Sequence, residues 1–383
     1  MIMDVVALVK RNKWIYYIYF YVVSFLIKCI RCFVSTDDKL ILFVSFGGRY
    51  FNDNPKVLYK AMLKDERFKG YNLVWAFLNP EKIDCDAPKI KINSFKYILT
   101  ALKARCWITN VSVERGLNFK GKKTFYFFTT HTTLPKLSGY DNREQGNKLF
   151  TYKFDCSCAQ SEKEQIMQES MFGLRRDQIL LSGYPKNDLL CNIPEQKRIC
   201  LREKLNLPVG VTVILYAPTY RDITFGAMKC PVDFKKWESV LGKDFVVLFR
   251  VHPVVSNATD IDSSSGFIYN VSSYPDNSEL MIASDILISD YSGIFFEFAV
   301  TEKPMFCYAY DYEEYIKSRD LYFDIRKLIP GGMLSEDDLL EEIKKRDYSR
   351  YENQLKSFRN DYVSEYGRAT GICLDKLVEE LKK

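Results

Sequence analysis

Only two histidines occur in the 383 residues, His131 and His252, and each stands just beyond an apolar run that reads as a strand. His131 follows Phe125-Tyr126-Phe127-Phe128-Thr129-Thr130 and precedes Thr132, Thr133 and Lys136. An imidazole at a strand end, titrating near neutrality, is equipped to move a proton; the other reading is a hydrogen-bonded structural histidine. His252 lies in Arg250-Val251-His252-Pro253. A third cluster runs from Ser284 to Ala299. Ile286 to Ile288 form a short buried strand, Ser289, Asp290, Ser292 and Gly293 supply cap chemistry, and a helix starts at Ile294. A helix opening at the carboxyl end of a parallel strand points N–H groups into the crevice where α/β proteins hold phosphate. The alternative is a cap that only starts a helix. Arg221 and Arg250, at two further strand ends, would add guanidinium groups, and the set suits a diphosphate.

The elements that must bring these groups together alternate along the chain. Strands are expected at 40–46, 71–77, 89–92, 106–109, 125–130, 155–159 and 179–182. Helices at 52–63, 94–103 and 162–172 fall between them. A second series has strands at 211–216, 245–249, 267–270, 286–288 and 303–308. Alternation of this kind implies parallel sheets covered by helices on both faces. The charged stretch 194–205 reads as a connector, which divides the chain into a first lobe at 37–190 and a second at 191–383. The last helices are candidates to pack back on the first lobe.

Nearly half the residues are apolar and 15% aromatic, enough for a large core and against global disorder. The net charge of +6 invites a nucleic-acid reading, but residues 1–36 carry five basic groups against one acidic, so the body is close to neutral. A nucleic-acid binder would place a basic stripe on its folded domain, and none is expected as a partner here. Eleven cysteines without paired C-x-x-C spacing suggest reduced thiols in a cytosolic compartment, and no carboxylate cluster calls for an obligatory metal or other cofactor.

Residues 1–36 form a separate piece. The uncharged stretch 14–27 would reach about 21 Å as a helix, short of a ~30 Å hydrocarbon core. Lys10, Lys13, Tyr17, Tyr21, Ser24, Lys28 and Arg31 recur at helical spacing in one stripe. Trp14, Ile15, Ile18, Phe20, Val22, Phe25 and Leu26 occupy the other face. Such a helix is expected to lie in the headgroup plane, with Lys10, Lys13, Lys28 and Arg31 on anionic lipid and Trp14 at the interface. An ordinary core helix is the competing reading.

Taken in order, several segments resemble the CDP-glycerol glycerophosphotransferase family of teichoic acid primases and polymerases. They are His131-Thr132-Thr133-x-x-Lys136-x-x-Gly139, Gly183-x-Pro185-x-Asn187-Asp188, Ala217-Pro218-Thr219-Tyr220-Arg221, Arg250-Val251-His252-Pro253 and Ser289-Asp290-Tyr291-Ser292. Tyr310-Asp311-x-Glu313-x-Tyr315, Arg319-x-x-Tyr322-Phe323-Asp324 and Gly367-Arg368-Ala369-Thr370 extend the likeness over roughly residues 40–372. Two departures stand out. The family pattern Trp-His-Gly-Thr is Thr130-His131-Thr132-Thr133 here, and a second serine after Tyr-Ser is replaced by Gly293.

The resemblance implies a GT-B fold, two Rossmann-like lobes around a cleft. It implies transfer of a polyol phosphate from CDP-glycerol or another CDP-polyol to a hydroxyl of a lipid-linked glycan, with CMP released, in teichoic acid-like or capsular polymer synthesis at the cytoplasmic membrane face. In that scheme His131 is the base, with Asn54, Thr133 and Lys136 on the acceptor side. His252 is the second catalytic residue, holding the diphosphate with Arg250 and stabilising the departing CMP; Arg221, Ser289, Asp290, Ser292 and Gly293 bind the donor phosphates, and Glu297 either reaches a ribose hydroxyl or is a plain helix residue. A glycosyltransferase or sugar-nucleotide epimerase of the same fold is the alternative. Glycerol against ribitol, the acceptor, the number of units added and homo-oligomer formation stay open.

Overall fold

The structure, a computed structural model, describes residues 13–142, 151–219, 232–251 and 264–383. Helix α1 (Lys13–Arg31) precedes the first lobe. That lobe comprises β1 (Asp37–Val44), α2 (Asp53–Met62), β2 (Asn72–Phe77), β3 (Lys89–Lys91), α3 (Phe95–Lys103), β4 (Ala104–Thr109), β5 (Phe125–Phe128), β6 (Cys156–Ala159), α4 (Glu162–Phe172) and β7 (Ile179–Leu181). Its seven strands are all parallel, in the order β3-β2-β1-β4-β5-β6-β7. The second lobe has α5 (Glu195–Lys204), β8 (Thr212–Tyr216), α6 (Phe234–Leu241), β9 (Phe245–Phe249), β10 (Ile268–Asn270), α7 (Asn277–Ala283), β11 (Ile286–Ser289), α8 (Ile294–Phe298) and β12 (Met305–Cys307). Its five strands, also parallel, run β10-β9-β8-β11-β12. Helices α9 (Tyr312–Ser318), α10 (Ile325–Leu328), α11 (Glu336–Lys344), α12 (Glu352–Tyr362) and α13 (Ala369–Leu381) complete the chain.

Both sheets are buried on both faces, as continuous apolar strands require. Along β1, Leu40, Leu42 and Val44 enter one core with Tyr97, Trp107 and Tyr126. Ile41 and Phe43 enter the opposite core with Leu58 and Trp75, and Cys373, Leu374, Leu377 and Leu381 of α13 close that face. The chain therefore leaves the first lobe near Leu190 and ends on it again. The two crossings run side by side. Asp188 accepts from the Ala369 and Thr370 amides (3.1 and 2.7 Å), capping α13, and a Cβ on Gly367 would stand 3.6 Å from Cys191 Sγ. The charged helix α5 is not a free connector, as its composition suggested. Leu201 joins the second core, while Arg202 donates to Asp285 at 2.6 Å.

Helix α1 corrects part of the expected pattern. Tyr16, Phe20, Ser24, Ile27 and Arg31 form the seam against the first lobe: the Tyr16 hydroxyl donates to Gly116 O (3.2 Å), and Ser24 Oγ accepts from Asn118 N (3.0 Å). Arg31 lies on Gly121 so closely that a Cβ there would meet its Cζ at 1.5 Å, so this cation faces protein and not lipid. Phe20, assigned to the outer face, is buried. On the rest of that face Trp14, Ile18, Val22, Phe25 and Leu26 are all exposed, Trp14 at 77%. A helical wheel finds two faces but cannot tell which one meets protein. The helix also continues past the uncharged stretch to 19 residues, about 28 Å, so length alone does not separate lying from crossing. Lys10 and the Lys13 side chain fall outside the described residues.

Candidate active site

In each sheet the chain reverses its winding between a central pair of strands, β1/β4 and β8/β11, and the carboxyl ends of both pairs open on the space between the lobes. His131 stands just beyond β5 in that space, half-buried, its ring edge-on to Phe46 at 5.7 Å. The backbone before it is strained. Thr130 takes φ +50°, Phe46 φ +44° and Asp53 φ +63°, left-handed conformations unusual for residues with side chains.

Two asparagines hold this geometry. Asn54, fully buried, donates to Thr129 O (3.1 Å) and Thr130 O (3.2 Å) and accepts from Lys186 N (3.0 Å). Asn110, at the end of β4, accepts from Phe46 N (2.8 Å) and donates to Asp53 Oδ1 (3.1 Å). Asn54 thus clamps the histidine-bearing strand end and does not open toward an acceptor. Thr133 is likewise buried, its hydroxyl accepting from Gln160 Nε2 at 2.7 Å. Lys136 reaches over the ring of Tyr315, 5.5 Å from its centroid. Burial lowers the His131 pKa from its ordinary value; nearby Asp53 pulls it up and Lys186 pushes it further down. The imidazole is therefore neutral at pH 7, able to take a proton.

Lys186 is the centre that sequence reasoning missed. Its ammonium pairs with Asp53 Oδ2 at 2.9 Å and Glu297 Oε2 at 3.1 Å, and donates to the His131 carbonyl. Glu297 is consequently buried in an ion pair, and the expected reach toward ribose is not what its carboxylate does. No local spacing signals this triad, because Asp53 and Glu297 each lie more than a hundred residues from Lys186, and in the Gly183–Asp188 segment position 186 carries no expectation.

Across the cleft the turn after β11 divides into two halves. Ser289 Oγ donates to Ala217 O (2.6 Å), and Asp290 Oδ1 accepts from Thr219 N (2.8 Å) and Tyr291 N (2.7 Å). Both side chains are buried and tie β11 to the end of β8, so they shape the turn from within. Ser292 and Gly293 remain half-exposed at the start of α8, a helix of only five residues. Tyr291 stacks on Tyr315 with centroids 3.8 Å apart, and its hydroxyl donates to Asp311 (3.0 Å). Arg250 is anchored through Nη1 to Val271 O (3.2 Å) and Tyr274 O (2.8 Å), and burial lowers its pKa. Arg221 and His252 lie outside the described residues.

The lobes meet in the residues that follow His131. Thr132 Oγ1 donates to Gly293 O at 2.9 Å, and a Cβ on Gly293 would stand 2.4 Å from that oxygen and 2.8 Å from Thr133 O. Farther along, Leu137 N donates to Asp320 O (2.9 Å) and Tyr322 N to Pro135 O (2.8 Å), so the loop after His131 is laced to the second lobe. Beneath His131 a cavity of about 30 Å³ is lined by Phe128, Thr130, Glu164, Met167 and Met171. Among the described residues, no group of three His, Cys, Asp or Glu side chains is placed to hold a metal.

Two parallel-sheet lobes with paired strand ends facing one cleft define a GT-B-like protein. Residues 26–371 match the family described as CDP-Glycerol:Poly(glycerophosphate) glycerophosphotransferase, and the chain belongs to that family. It is 32% identical over 381 residues to the teichoic acid poly(glycerol phosphate) polymerase of Staphylococcus epidermidis, covering 91% of this chain and 52% of that protein. The chain thus spans about half the length of that relative. It is 31% identical over 354 residues to the teichoic acid glycerol-phosphate transferase of Staphylococcus aureus, covering 85% of this chain and 86% of that one. Among solved structures, a variant of the wall teichoic acid polymerase TagF soaked with CDPG superposes with a TM-score of 0.83 at 31% identity, covering 91% of this chain and 90% of that chain.

Proposed function

We propose that this chain transfers glycerol phosphate, or a closely related polyol phosphate, from its CDP ester to a hydroxyl of a lipid-linked glycan, in teichoic acid-like or capsular polymer synthesis. The observation that carries the reading is a half-buried imidazole at a strained strand end, next to the Thr132 hydroxyl that donates to Gly293 O in the turn of the opposite lobe. His131 takes the proton of the acceptor hydroxyl as its oxygen forms a bond to the phosphorus that bears the polyol. The bond from that phosphorus to the CMP oxygen breaks, and CMP leaves with the electron pair. Ser292, the amides at the start of α8 and Arg250 lie on the donor side; Arg221 and His252 are assigned there by family pattern alone. Positioning and charge neutralisation are what such a transfer asks of the protein. The exposed face of α1 would rest on the cytoplasmic leaflet as a peripheral anchor. No bound metal is required in this scheme, and turnover should persist in EDTA.

His131→Ala tests the base. CMP release from CDP-glycerol, with a lipid-linked disaccharide as acceptor, should drop by at least the 10²–10⁴-fold typical of a lost general base, while CDP-glycerol binding stays close to wild type. Wild-type turnover in the variant would remove the assignment. Deleting residues 1–34 should abolish flotation with phosphatidylglycerol vesicles, and unchanged flotation would rule the anchor out.

A further inference from the structure

One buried cation bridges the two lobes beside His131. Lys186 is 7% exposed, and its ammonium has three protons for three acceptors: Asp53 Oδ2, Glu297 Oε2 and the carbonyl oxygen of His131. Asp53 and His131 belong to the first lobe. Glu297 belongs to the second and sits one helical turn beyond Gly293. The contact therefore spans the cleft at the point where base and phosphate turn must be brought together. A purely structural pair would not need the carbonyl of the base itself as third acceptor, nor a partner on the other lobe. A buried ion pair is also a weak source of stability, because desolvation offsets most of the attraction; its better-attested use is to fix one arrangement among several.

We propose that Lys186 is a positioning residue for the transfer, pinning the His131 backbone to the helix that follows the Ser292–Gly293 turn, with Glu297 as its partner on the donor lobe. The proposal rests on His131 being the base. Asp53 completes the pin from α2, and the Thr132–Gly293 hydrogen bond runs parallel to it. Glu297→Gln removes the charge across the cleft while Lys186 keeps Asp53, so the first lobe stays intact. Misplacement of a reacting group by about 1 Å costs on the order of 10²-fold in rate. Glu297→Gln should therefore lower kcat for CMP release by about that factor, with KM for CDP-glycerol changed by less than about threefold. Lys186→Arg, which keeps the charge but not the compact geometry, should lie between the two.

A second readout needs no turnover. The chain holds two histidines, so the His131 imidazole resonances are assigned by comparison with a His252→Asn variant. The charged or titratable groups facing His131 are Asp53 from α2, Lys186 from the turn after β7, Glu164 from α4 across the cavity, and Glu297 through Lys186. In Lys186→Met the cation is lost while Asp53 stays, and the His131 titration midpoint should rise. If wild type releases no CMP yet the midpoint rises, the transferase reading fails and the pin stands. If wild type turns over and Glu297→Gln equals it in kcat, or if the Lys186→Met midpoint does not move, the pin is refuted.

Discussion

Glu164 offers the most direct test of the electrostatics around the site. Its carboxyl lies under His131 at the base of α4, accepting from the Tyr184 hydroxyl and from Gln160 N at 2.8 Å. Burial raises its pKa from the ordinary 4.5 to about 7, with the hydrogen bonds from Tyr184 and Gln160 opposing the rise. The unfolded chain releases this proton near pH 4.5, whereas the folded protein keeps it until about 7. A carboxyl held above its unfolded value stabilises the folded state least once it ionises, so the contribution is fully present below pH 4.5 and lost as pH rises toward 7. Each unit of difference is worth about 1.4 kcal/mol, so Glu164 should cost the fold about 3 kcal/mol between those limits. Glu164→Gln removes the ionisation but keeps the shape. Tyr184 must then turn its hydroxyl to accept from the new amide, a loss of about 1 kcal/mol at pH 5. By pH 8 the variant should overtake wild type by about 2 kcal/mol. The assay is urea unfolding of both proteins at half-unit steps from pH 5 to 8, read as their difference, since groups common to both cancel. A difference that stays flat across this range would refute a buried, late-ionising carboxyl.

Two further outcomes test the packing. Gly293→Ala places a methyl 2.4 Å from Thr132 Oγ1 and 2.8 Å from Thr133 O, and should destabilise the closed arrangement by about 1–3 kcal/mol, seen as a lowered Tm. Adding Thr132→Gly should recover only part of this, because the Thr133 carbonyl is backbone. Lys303 Nζ donates to Met281 O, Ile282 O and Ser284 O (3.2, 3.0 and 2.6 Å), closing the carboxyl end of α7. Lys303→Met should cost about 1–3 kcal/mol in a denaturant titration, with CMP release unaffected below the midpoint.

The fold was legible because parallel sheets announce themselves locally. The apolar runs within the strands expected at 40–46 and 286–288 lie in β1 and β11, which end at Val44 and Ser289, within two residues of the expected ends. His131 was legible for the same reason, as the residue following an aromatic strand. What could not be read were choices of partner. Ser289, Asp290 and Asn54 have side chains suited either to a ligand or to a backbone group, and only the tertiary structure shows that neighbouring backbone claims all three. Lys186 and Glu297 carry opposite charges 111 positions apart, and nothing in the spacing couples them. Helix α1 posed a similar problem, because Ser24 and Arg31 look like a solvent stripe until the first lobe supplies Asn118 and Gly121 to receive them.

Because α1 and α13 both pack on the first lobe, the second is in effect an insertion carried on two adjacent tethers. A pair of parallel tethers resists twisting and sideways sliding far more than it resists bending across their common line. Any widening of the cleft should therefore swing the donor side like a door about Asp188 and Gly367, with Gly293 on the swinging edge and His131 on the frame. If α1 rests on a membrane, the acceptor half stays fixed to the surface while the nucleotide half alone moves.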